Sequence, residues 1–391
     1  MLGRWPTIIT LWLIGVLAAA QLAKFSVIAP LLRAQFGLSL PATGLLISLL
    51  EVGGGLFGFV AGLALGRIGC RRSLLAGMVI LTLTSLLEAL VTSVGALFAV
   101  RAFEGIGYLL AVIAAPTAIA GIADDRSRPR ALALWSSFVP VGIAIGSAIT
   151  SVATTPIGVR GIMLLWAALL AAAIVPVLRL PIGGGDSQRI ALPAPAAWIS
   201  TLAFGVYTLF LCALTMLLPT FLIEQRSATL GAAGMIAAVA SLSALPASGL
   251  AILAMRGGTL SARRLLVVTV PALVAAALLV PVALGGQVTG LTATATILVV
   301  AILLSGLVSP LMFARLPILA GAQSPHDPRI ATANGLLTQF GAGGALIGPP
   351  LGGLVVGLWG WAGLGIAIAL LTLLMLVAVA AAEGVGMARQ A

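Results

Sequence analysis

Of the 391 residues, 61% are hydrophobic and only 7% are charged. Soluble domains carry about 25% charged residues, so this composition excludes a water-soluble protein and predicts an integral membrane protein. The 20 basic and 9 acidic residues give a formal net charge of +11, which in a soluble protein would suggest a nucleic-acid partner. Here the basic residues lie in short loops between apolar runs, a pattern typical of membrane topology, and we expect no nucleic-acid partner.

The first half of the chain contains six apolar runs, each long enough to be a membrane helix. About 20 apolar residues in a helix cross the hydrocarbon layer of a bilayer. The six predicted spans are Thr7–Leu32, Ala42–Leu65, Leu74–Val91, Gly95–Ile122, Ala131–Ala153 and Ile162–Val177. These runs are continuously apolar, whereas the strands of a membrane β-barrel alternate, so the pattern excludes a barrel.

The second half repeats this rhythm after a polar segment. Residues 181–196 are rich in glycine and proline, which is typical of a linker. Six more predicted spans follow it, at Ala197–Ile223, Gly231–Leu253, Leu265–Leu284, Leu291–Ala320, Ile330–Leu358 and Ala362–Ala382. The sequence therefore predicts an all-α membrane protein with twelve transmembrane helices, in two six-helix bundles at 1–180 and 197–391.

Basic residues in the loops predict the orientation of these helices. If the N-terminus is cytoplasmic, 14 of the 20 basic residues fall in cytoplasmic segments. Only Arg33, Arg160 and Arg226 fall in outer loops, and the other three lie inside spans. This asymmetry indicates a bacterial-type inner-membrane protein with both termini in the cytoplasm.

The two halves also carry matching sequence features, which indicates an internal duplication. Three features of the first half recur at offsets of 192, 201 and 199 residues. The matched features are Arg71-Arg72 with Arg263-Arg264, Pro116 with Pro317, and Pro129-Arg130 with Pro328-Arg329. Two parallel repeats around a central path are a known plan of membrane transporters.

The loop between the second and third spans resembles the signature loop of the major facilitator superfamily of transporters. The residues that match the family pattern are Gly62, Arg67, Gly69, Arg71 and Arg72. Gly66 stands where the family has an acidic residue, and Cys70 where it has a basic one. The resemblance implies that this loop forms a cytoplasmic gate, whose partners differ from those of the family because the acid is missing.

Two further stretches resemble family elements. Arg101-Ala-Phe-Glu104-Gly105-Ile-Gly107 is similar to a stretch of the family's fourth span, with Glu104 in place of glutamine. Gly348–Gly353 is similar to an element of drug antiporters, although those proteins carry it in the fifth span and this chain carries it in the eleventh. The resemblance implies the fold and an alternating-access mechanism without specifying the cargo.

Ionisable side chains inside predicted spans mark candidate functional positions, because each costs at least about 2.5–3.5 kcal/mol at mid-membrane. There are six of them, namely Lys24, Glu51, Glu88, Arg101, Glu104 and Arg315. Helical spacing places Arg101, Glu104 and Tyr108 on one face of the fourth span. The same spacing groups Gln21 with Lys24 and Asn334 with Thr338.

We expect these faces to line a central cavity that Lys24, Arg101 and Arg315 make electropositive. The residues expected to bind substrate are Gln21, Lys24, Glu51, Arg101, Tyr108, Arg315, Asn334 and Thr338. The residues expected to couple protons are Glu51, Arg101 and Glu104. The alternative is that Arg101–Glu104 and Lys24–Glu51 are ion pairs that only fix helix packing. We expect Glu88, near the outer end of the third span, to be peripheral and structural.

The sequence thus predicts a proton-coupled secondary transporter that moves a small polar or anionic organic solute inward. The alternative is a drug/proton antiporter that exports lipophilic compounds, while a channel or a membrane-embedded enzyme fits the duplicated halves and the residue types less well. We expect no catalytic activity, because there is no Walker-type loop and the one histidine cannot complete a Ser-His-Asp set. We expect no metal site and no cofactor, and we expect the protein to act as a monomer in the lipid bilayer.

Overall fold

The computed structural model describes residues 4–124, 127–180, 191–247, 261–323 and 327–388. In these ranges the regular secondary structure is helical, without any β-strand. Ten helical segments within them are long and apolar enough to cross a membrane. A helix satisfies its own backbone hydrogen bonds, which lipid cannot do, so continuous apolar runs fold in this way. The predicted all-α membrane fold is confirmed.

The first four helices follow the predicted spans closely. Ser39 and Ser93 begin the second and fourth helices, because their side chains accept hydrogen bonds from the backbone N–H groups of Ala42 and Ala96. The second helix tightens into a 3-10 turn at Leu49–Glu51. The bounds are Arg4–Phe36 for α1, Leu40–Ser48 with Val52–Ile68 for α2, Cys70–Glu88 for α3 and Val94–Ile122 for α4.

The fifth and sixth helices form one segment that turns back on itself. Its helical parts are Arg128–Ser136 and Phe138–Arg179, and Gly158 within it has φ of 70°, a value that favours glycine. The Trp166 indole N–H donates to the Thr150 hydroxyl at 3.1 Å. In a straight helix, residues this far apart would be separated by about 24 Å. The chain therefore reverses at Gly158, and we name its two arms α5 (128–157) and α6 (159–179).

The second half repeats this arrangement. Its last helical segment, Pro328–Ala388, has the same kind of turn at Gly360, where φ is 69°. A Cβ on Gly352 would lie 3.5 Å from Leu364 Cδ1, which requires the two arms, α11 (328–359) and α12 (361–388), to lie side by side. The other helices are α7 (Pro195–Arg226), α8 (Leu230–Leu242), α9 (Ala262–Leu284) and α10 (Leu291–Ser305 with Val308–Leu319). With each turned segment counted as two and each interrupted helix as one, we number these helices α1 to α12 in the described part of the chain.

Two hydrophobic cores organise the described residues. One core uses residues from Ile8 to Leu180 together with Met216. The other uses residues from Ala196 to Val379 together with Leu40. The domain boundaries at 1–180 and 197–391 stay a prediction, and most of the predicted linker, 181–190, lies outside the described residues.

Three helix pairs make most of the contacts between the first six helices and the last six. In the α2–α11 pair, the Ser48 hydroxyl donates to the carbonyl of Leu346 at 2.7 Å, and the Phe59 backbone N–H donates to the Gln339 side chain at 3.1 Å. The α1–α7 pair is joined by the Ser26 hydroxyl, which donates to the carbonyl of Met216 at 2.6 Å. In the α5–α8 pair, Gly234 of α8 packs directly against Ser151 of α5.

The helix bundle has two ends, which we name after residues at the turns. The Phe36 end carries the turn between α1 and α2, and the Gly69 end carries the turn between α2 and α3. At the Phe36 end, Arg33 Nη1 lies 2.5 Å from Glu224 Oε1, so an ion pair connects α1 to α7. On α5 and α8, Ser151 and Gly234 also meet toward the Phe36 end. The two halves are therefore in contact at the Phe36 end.

Close helix packing within the second half gives a direct test of the fold. A Cβ on Gly344 would lie 2.0 Å from the carbonyl oxygen of Gly205, whereas a Cβ on the adjacent Gly343 would have no atom within 4 Å. We expect Gly344→Ala to destabilise the protein by about 1–3 kcal/mol through overpacking. The measurement is the apparent melting temperature in detergent.

Gly343→Ala is the matched control, because it gains the same helix propensity without a clash. We expect it to leave the melting temperature unchanged or to raise it. Equal melting temperatures for the two variants would contradict the α7–α11 packing described here.

Candidate functional site

A lysine inside the membrane region binds two glutamates. Lys24 Nζ on α1 lies 2.5 Å from Glu88 Oε2 on α3 and 3.3 Å from Glu104 Oε1 on α4. It also donates to the Ser85 hydroxyl at 3.3 Å. The side chains of the lysine and both glutamates are fully buried, at 0% exposure. The three N–H donors of the ammonium group are therefore all used within the protein.

Arg101 on α4 binds the second of these glutamates and two neighbouring helices. Its guanidinium group makes an ion pair with Glu104 and lies 4.2 Å from the centre of the Phe25 ring. It also donates to the backbone carbonyls of Gln21, Leu46 and Ile47 at 2.9, 3.2 and 3.1 Å. This one side chain connects α4 to α1 and α2.

Lys24, Glu88, Arg101 and Glu104 form a single unit, which we call the charge cluster. Two cations and two carboxylates balance when all four are ionised. The i, i+3 spacing predicted the Arg101–Glu104 pair, and the structure confirms it. The alternative that paired Lys24 with Glu51 was wrong, because Lys24 points toward α3 and α4. Glu88 was predicted to be peripheral, and the structure places it inside the charge cluster.

Glu51 lies apart from the charge cluster, in the 3-10 turn of α2. It is half-buried, and Tyr108 of α4, which was also predicted to bind substrate, is buried. Among the described residues Glu51 makes no ion pair. A Cβ on Gly54 would lie 2.8 Å from Ala342 of α11 and 3.7 Å from Glu51 Oε2. Glu51 therefore lies next to the contact between the two halves.

Arg315 has its own carboxylate partner. Its guanidinium Nε lies 2.9 Å from Glu383 Oε1 on α12, and a second nitrogen pairs with the other carboxylate oxygen. The expectation of an electropositive cavity counted Lys24, Arg101 and Arg315 as cations without partners, and the structure corrects it, because each one is matched by a glutamate. Glu383 escaped notice because the last predicted span ended one residue before it.

The remaining predicted substrate residues fall in two environments. Gln21 is fully buried, its NH₂ group donates to the Leu17 carbonyl, and its side-chain oxygen has no partner among the described residues. Asn334 and Thr338 are exposed on α11. They lie on the face between the side that meets α2 and the side that meets α7. This position borders the space between the halves at the Gly69 end.

The predicted gate residues surround the turn between α2 and α3. Gly69 makes the turn, with φ of 85°, and Gly62 faces open space. The Arg71 guanidinium donates to the carbonyl of Leu178 at the end of α6, and Arg72 is exposed. The side chain of Arg67 lies outside the described residues. The turn is thus attached to α6, and its role as a gate stays a prediction.

A buried ion pair and a partly exposed one are expected to contribute to stability by different amounts. We expect Glu383→Gln to cost about 3–5 kcal/mol, because it leaves the buried Arg315 without its carboxylate. Glu224→Gln removes one partner of the Arg33 pair, whose side chains are about one-third exposed, and is expected to cost less than about 1 kcal/mol. Thermal unfolding in detergent compares them, and equal costs would contradict the burial of Arg315.

Comparison with known proteins assigns the chain to a family. Residues 11–314 match the family model of the Major Facilitator Superfamily. The structure is similar to that of a bacterial homologue of the human lysosomal transporter Spinster in an inward-facing, unoccupied conformation, with a TM-score of 0.72, 16% identity, and 98% and 97% of the two chains covered. It is also similar to a mutant form of the nucleoside transporter NupG, with a TM-score of 0.72, 14% identity, and 96% and 99% covered.

Three curated proteins match shorter parts of the sequence. The lincomycin resistance protein of Streptomyces lincolnensis is 28% identical over 211 residues, which are 52% of this chain and 43% of that protein. The cephamycin export protein CmcT of Amycolatopsis lactamdurans is 31% identical over 144 residues, 36% and 30% of the two chains. The hexuronate transporter of Bacillus subtilis (strain 168) is 31% identical over 104 residues, 27% and 25%. Each match spans less than half of the relative.

The family match covers most of the chain, and the apolar helices have the same fold as these solved transporters. Members of this family are membrane transporters and not enzymes. The chain belongs to the Major Facilitator Superfamily.

Proposed function

We propose that the protein is a proton-coupled secondary transporter that exports lipophilic organic compounds by alternating access. The observation that carries this proposal is that the three cations of the predicted spans, Lys24, Arg101 and Arg315, each pair with a glutamate, while Glu51 makes no ion pair with another described residue. Two of the relatives are named for export or for antibiotic resistance, which supports the outward direction.

Alternating access requires contacts between the halves that form and break. The predicted topology places the Phe36 end outside and the Gly69 end in the cytoplasm. The Arg33–Glu224 ion pair and the Ser26–Met216 hydrogen bond hold the halves together toward the outer end. We infer that this arrangement is closed to the outside and that release of cargo requires these contacts to separate.

Glu51 is our candidate for the residue that exchanges a proton for cargo. A carboxyl group without a cationic partner can change its protonation state without breaking an ion pair. Its position beside Gly54 and Ala342 puts this change at the contact between α2 and α11. Arg101 and Glu104 support the same process, because Arg101 donates to the α2 backbone just before the turn that carries Glu51.

The expected cargo depends on which cationic side chains are left to bind it. Because Lys24, Arg101 and Arg315 are bound to glutamates, none of the cations within the predicted spans is left for an anionic solute. Small and aromatic side chains such as Ala342, Phe59 and Phe204 line the helix contacts around Glu51 and α11. Such a surface favours apolar compounds over polar ones.

A second candidate function is inward transport of a small polar or anionic organic solute. It is favoured by the exposed amide of Asn334 and hydroxyl of Thr338 on α11. The relative named as a hexuronate transporter points the same way. This function would require Arg101 or Lys24 to release a glutamate when the solute binds.

Transport by purified protein in proteoliposomes distinguishes the two functions. Under an imposed pH gradient we expect lipophilic cations to move against their own gradient and organic anions not to accumulate. Glu51→Gln should abolish proton-driven movement because the amide cannot exchange a proton, whereas Glu51→Asp should retain part of it with a changed pH dependence.

Asp124→Asn is the control, because it neutralises an exposed carboxylate away from Glu51 and from the contacts between the halves. It should leave the coupling to protons intact. Accumulation of organic anions that Arg101→Ala abolishes would overturn export and establish the second candidate. Full proton-driven transport by Glu51→Gln would remove Glu51 as the coupling residue.

A further inference from the structure

Helix α10 carries an aromatic side chain that the second half leaves partly uncovered. Phe313 lies within a predicted span, and it is 45% exposed. Two residues turn an α-helix through about 200°, so Phe313 and Arg315 point to nearly opposite sides of α10. Arg315 binds Glu383 on α12. The Phe313 ring therefore points away from α12 and across the second half.

An aromatic contact fixes the direction of the Phe313 ring. Its centre lies 5.7 Å from the centre of the Phe204 ring on α7, and the two ring planes meet at 81°. This edge-to-face geometry is one that aromatic pairs prefer. Phe204 is only 8% exposed, and a Cβ on Gly341 of α11 would lie 2.8 Å from its Cε1. Phe204 is therefore a fixed support for Phe313, which keeps much of its own surface uncovered.

The uncovered part of Phe313 lies on the side of the other half. The main contacts of Val308–Leu319 are with α7, α9 and the α11–α12 segment, all in the second half of the described chain. Phe313 is close to the end of this part of α10, and Asn334 is close to the beginning of α11, so both lie at the Gly69 end. The ring therefore borders the same space between the halves as Asn334 and Thr338.

The polar groups around this ring are mostly hydrogen-bond acceptors. The Thr338 hydroxyl donates to the carbonyl of Asn334 at 2.9 Å, and the Thr208 hydroxyl donates to the carbonyl of Gly205 at 3.0 Å. Each hydroxyl has used its one hydrogen and can only accept a further bond. Thr208 Cγ2 would lie 3.8 Å from a Cβ on Gly341, and Thr338 lies one helical turn from Gly341. A compound bound here satisfies these oxygens by supplying N–H or O–H groups.

We propose that these side chains form a cargo-binding surface on which Phe313 selects planar aromatic compounds that carry amino or hydroxyl groups. We call this surface the Phe313 wall, and its members are Phe204, Thr208, Phe313, Asn334 and Thr338. The flat cargo packs against the uncovered ring of Phe313, and its N–H or O–H groups donate to the oxygens of the wall. This inference rests on the proposed export of lipophilic compounds, and it adds the class of cargo and the residue that selects it.

Equilibrium binding of ethidium to the purified full-length protein in detergent tests the wall without a pH gradient. Ethidium is a planar aromatic cation with two amino groups, and its fluorescence polarisation rises when it binds a protein. The second probe is its analogue without the amino groups, measured by competition. We expect both probes to bind the unmodified protein, and ethidium to bind more tightly because it alone donates hydrogen bonds. Failure of both probes to bind would overturn the proposed cargo class.

Substitutions of Phe313 test the aromatic contact. Phe313→Ala and Phe313→Leu should each weaken the binding of both probes about tenfold, because neither side chain offers a ring. The leucine keeps an apolar contact with Phe204, so its effect is separate from any loss of packing. Phe313→Tyr should bind both probes within about twofold of the unmodified protein, because it keeps the ring. Unchanged binding in Phe313→Leu would overturn Phe313 as the residue that selects aromatic cargo.

Phe103→Ala is the matched control. Phe103 is 54% exposed, similar to Phe313, but it lies two residues from Arg101 and therefore on the opposite face of α4 from the charge cluster. It should leave the affinity for both probes unchanged. A loss equal to that of Phe313→Ala would show that the probes bind exposed aromatic side chains in general, and it would overturn the wall as a specific site.

Asn334→Ala and Thr338→Val test the hydrogen bonds. Each should weaken ethidium binding about threefold, because one hydrogen-bond partner is lost, and should leave the analogue unchanged. Any other pattern, whether equal losses for the two probes or no loss for ethidium, would overturn the requirement for amino or hydroxyl groups. Failure of the proposed function is a separate result, in which ethidium binds as predicted but is not moved by a pH gradient in proteoliposomes.

Discussion

A charge inside the hydrocarbon layer must be neutralised, and this requirement shapes the first half of the protein. Lys24 and Arg101 would each cost at least about 2.5–3.5 kcal/mol without a partner. Glu88 and Glu104 neutralise them, and the four side chains connect α1, α3 and α4. Arg101 extends the connection to α2 through backbone carbonyls. The packing of α1 to α4 therefore depends on one balanced group of charges.

Placing the charges inside one half leaves the contact between the halves free to change. That contact uses glycine, alanine, single hydrogen bonds such as Phe59–Gln339, and the partly exposed Arg33–Glu224 ion pair. These interactions are individually weak, so separating them costs less than breaking the charge cluster. A transporter that alternates between two arrangements needs this division, with strong bonds within each half and weaker ones between them. Glu51 lies on the boundary, near both sets of contacts.

The sequence predicted the helices and the family, because apolar length and loop arginines are local properties. The i, i+3 spacing also predicted the Arg101–Glu104 pair correctly. The sequence could not predict the Lys24–Glu88 or Arg315–Glu383 ion pairs. The helical period shows which residues share a face of a helix, but it does not show which other helix that face meets. Those pairings depend on how each helix is rotated in the bundle. Glu88 was assigned a peripheral role from its helix alone, whereas its environment is set by α1 and α4.

The most direct test of this account is a double-mutant cycle on Lys24 and Glu88, measured by thermal unfolding in detergent. Lys24→Met and Glu88→Leu should each destabilise the protein by about 3–5 kcal/mol, because the first leaves two buried carboxylates with one cation and the second leaves two buried cations with one carboxylate. The double variant leaves only the balanced pair of Arg101 and Glu104, so much of the loss should be recovered. Costs of the two single changes that simply add, with no recovery in the double variant, would contradict the charge cluster as the interaction on which the first half depends.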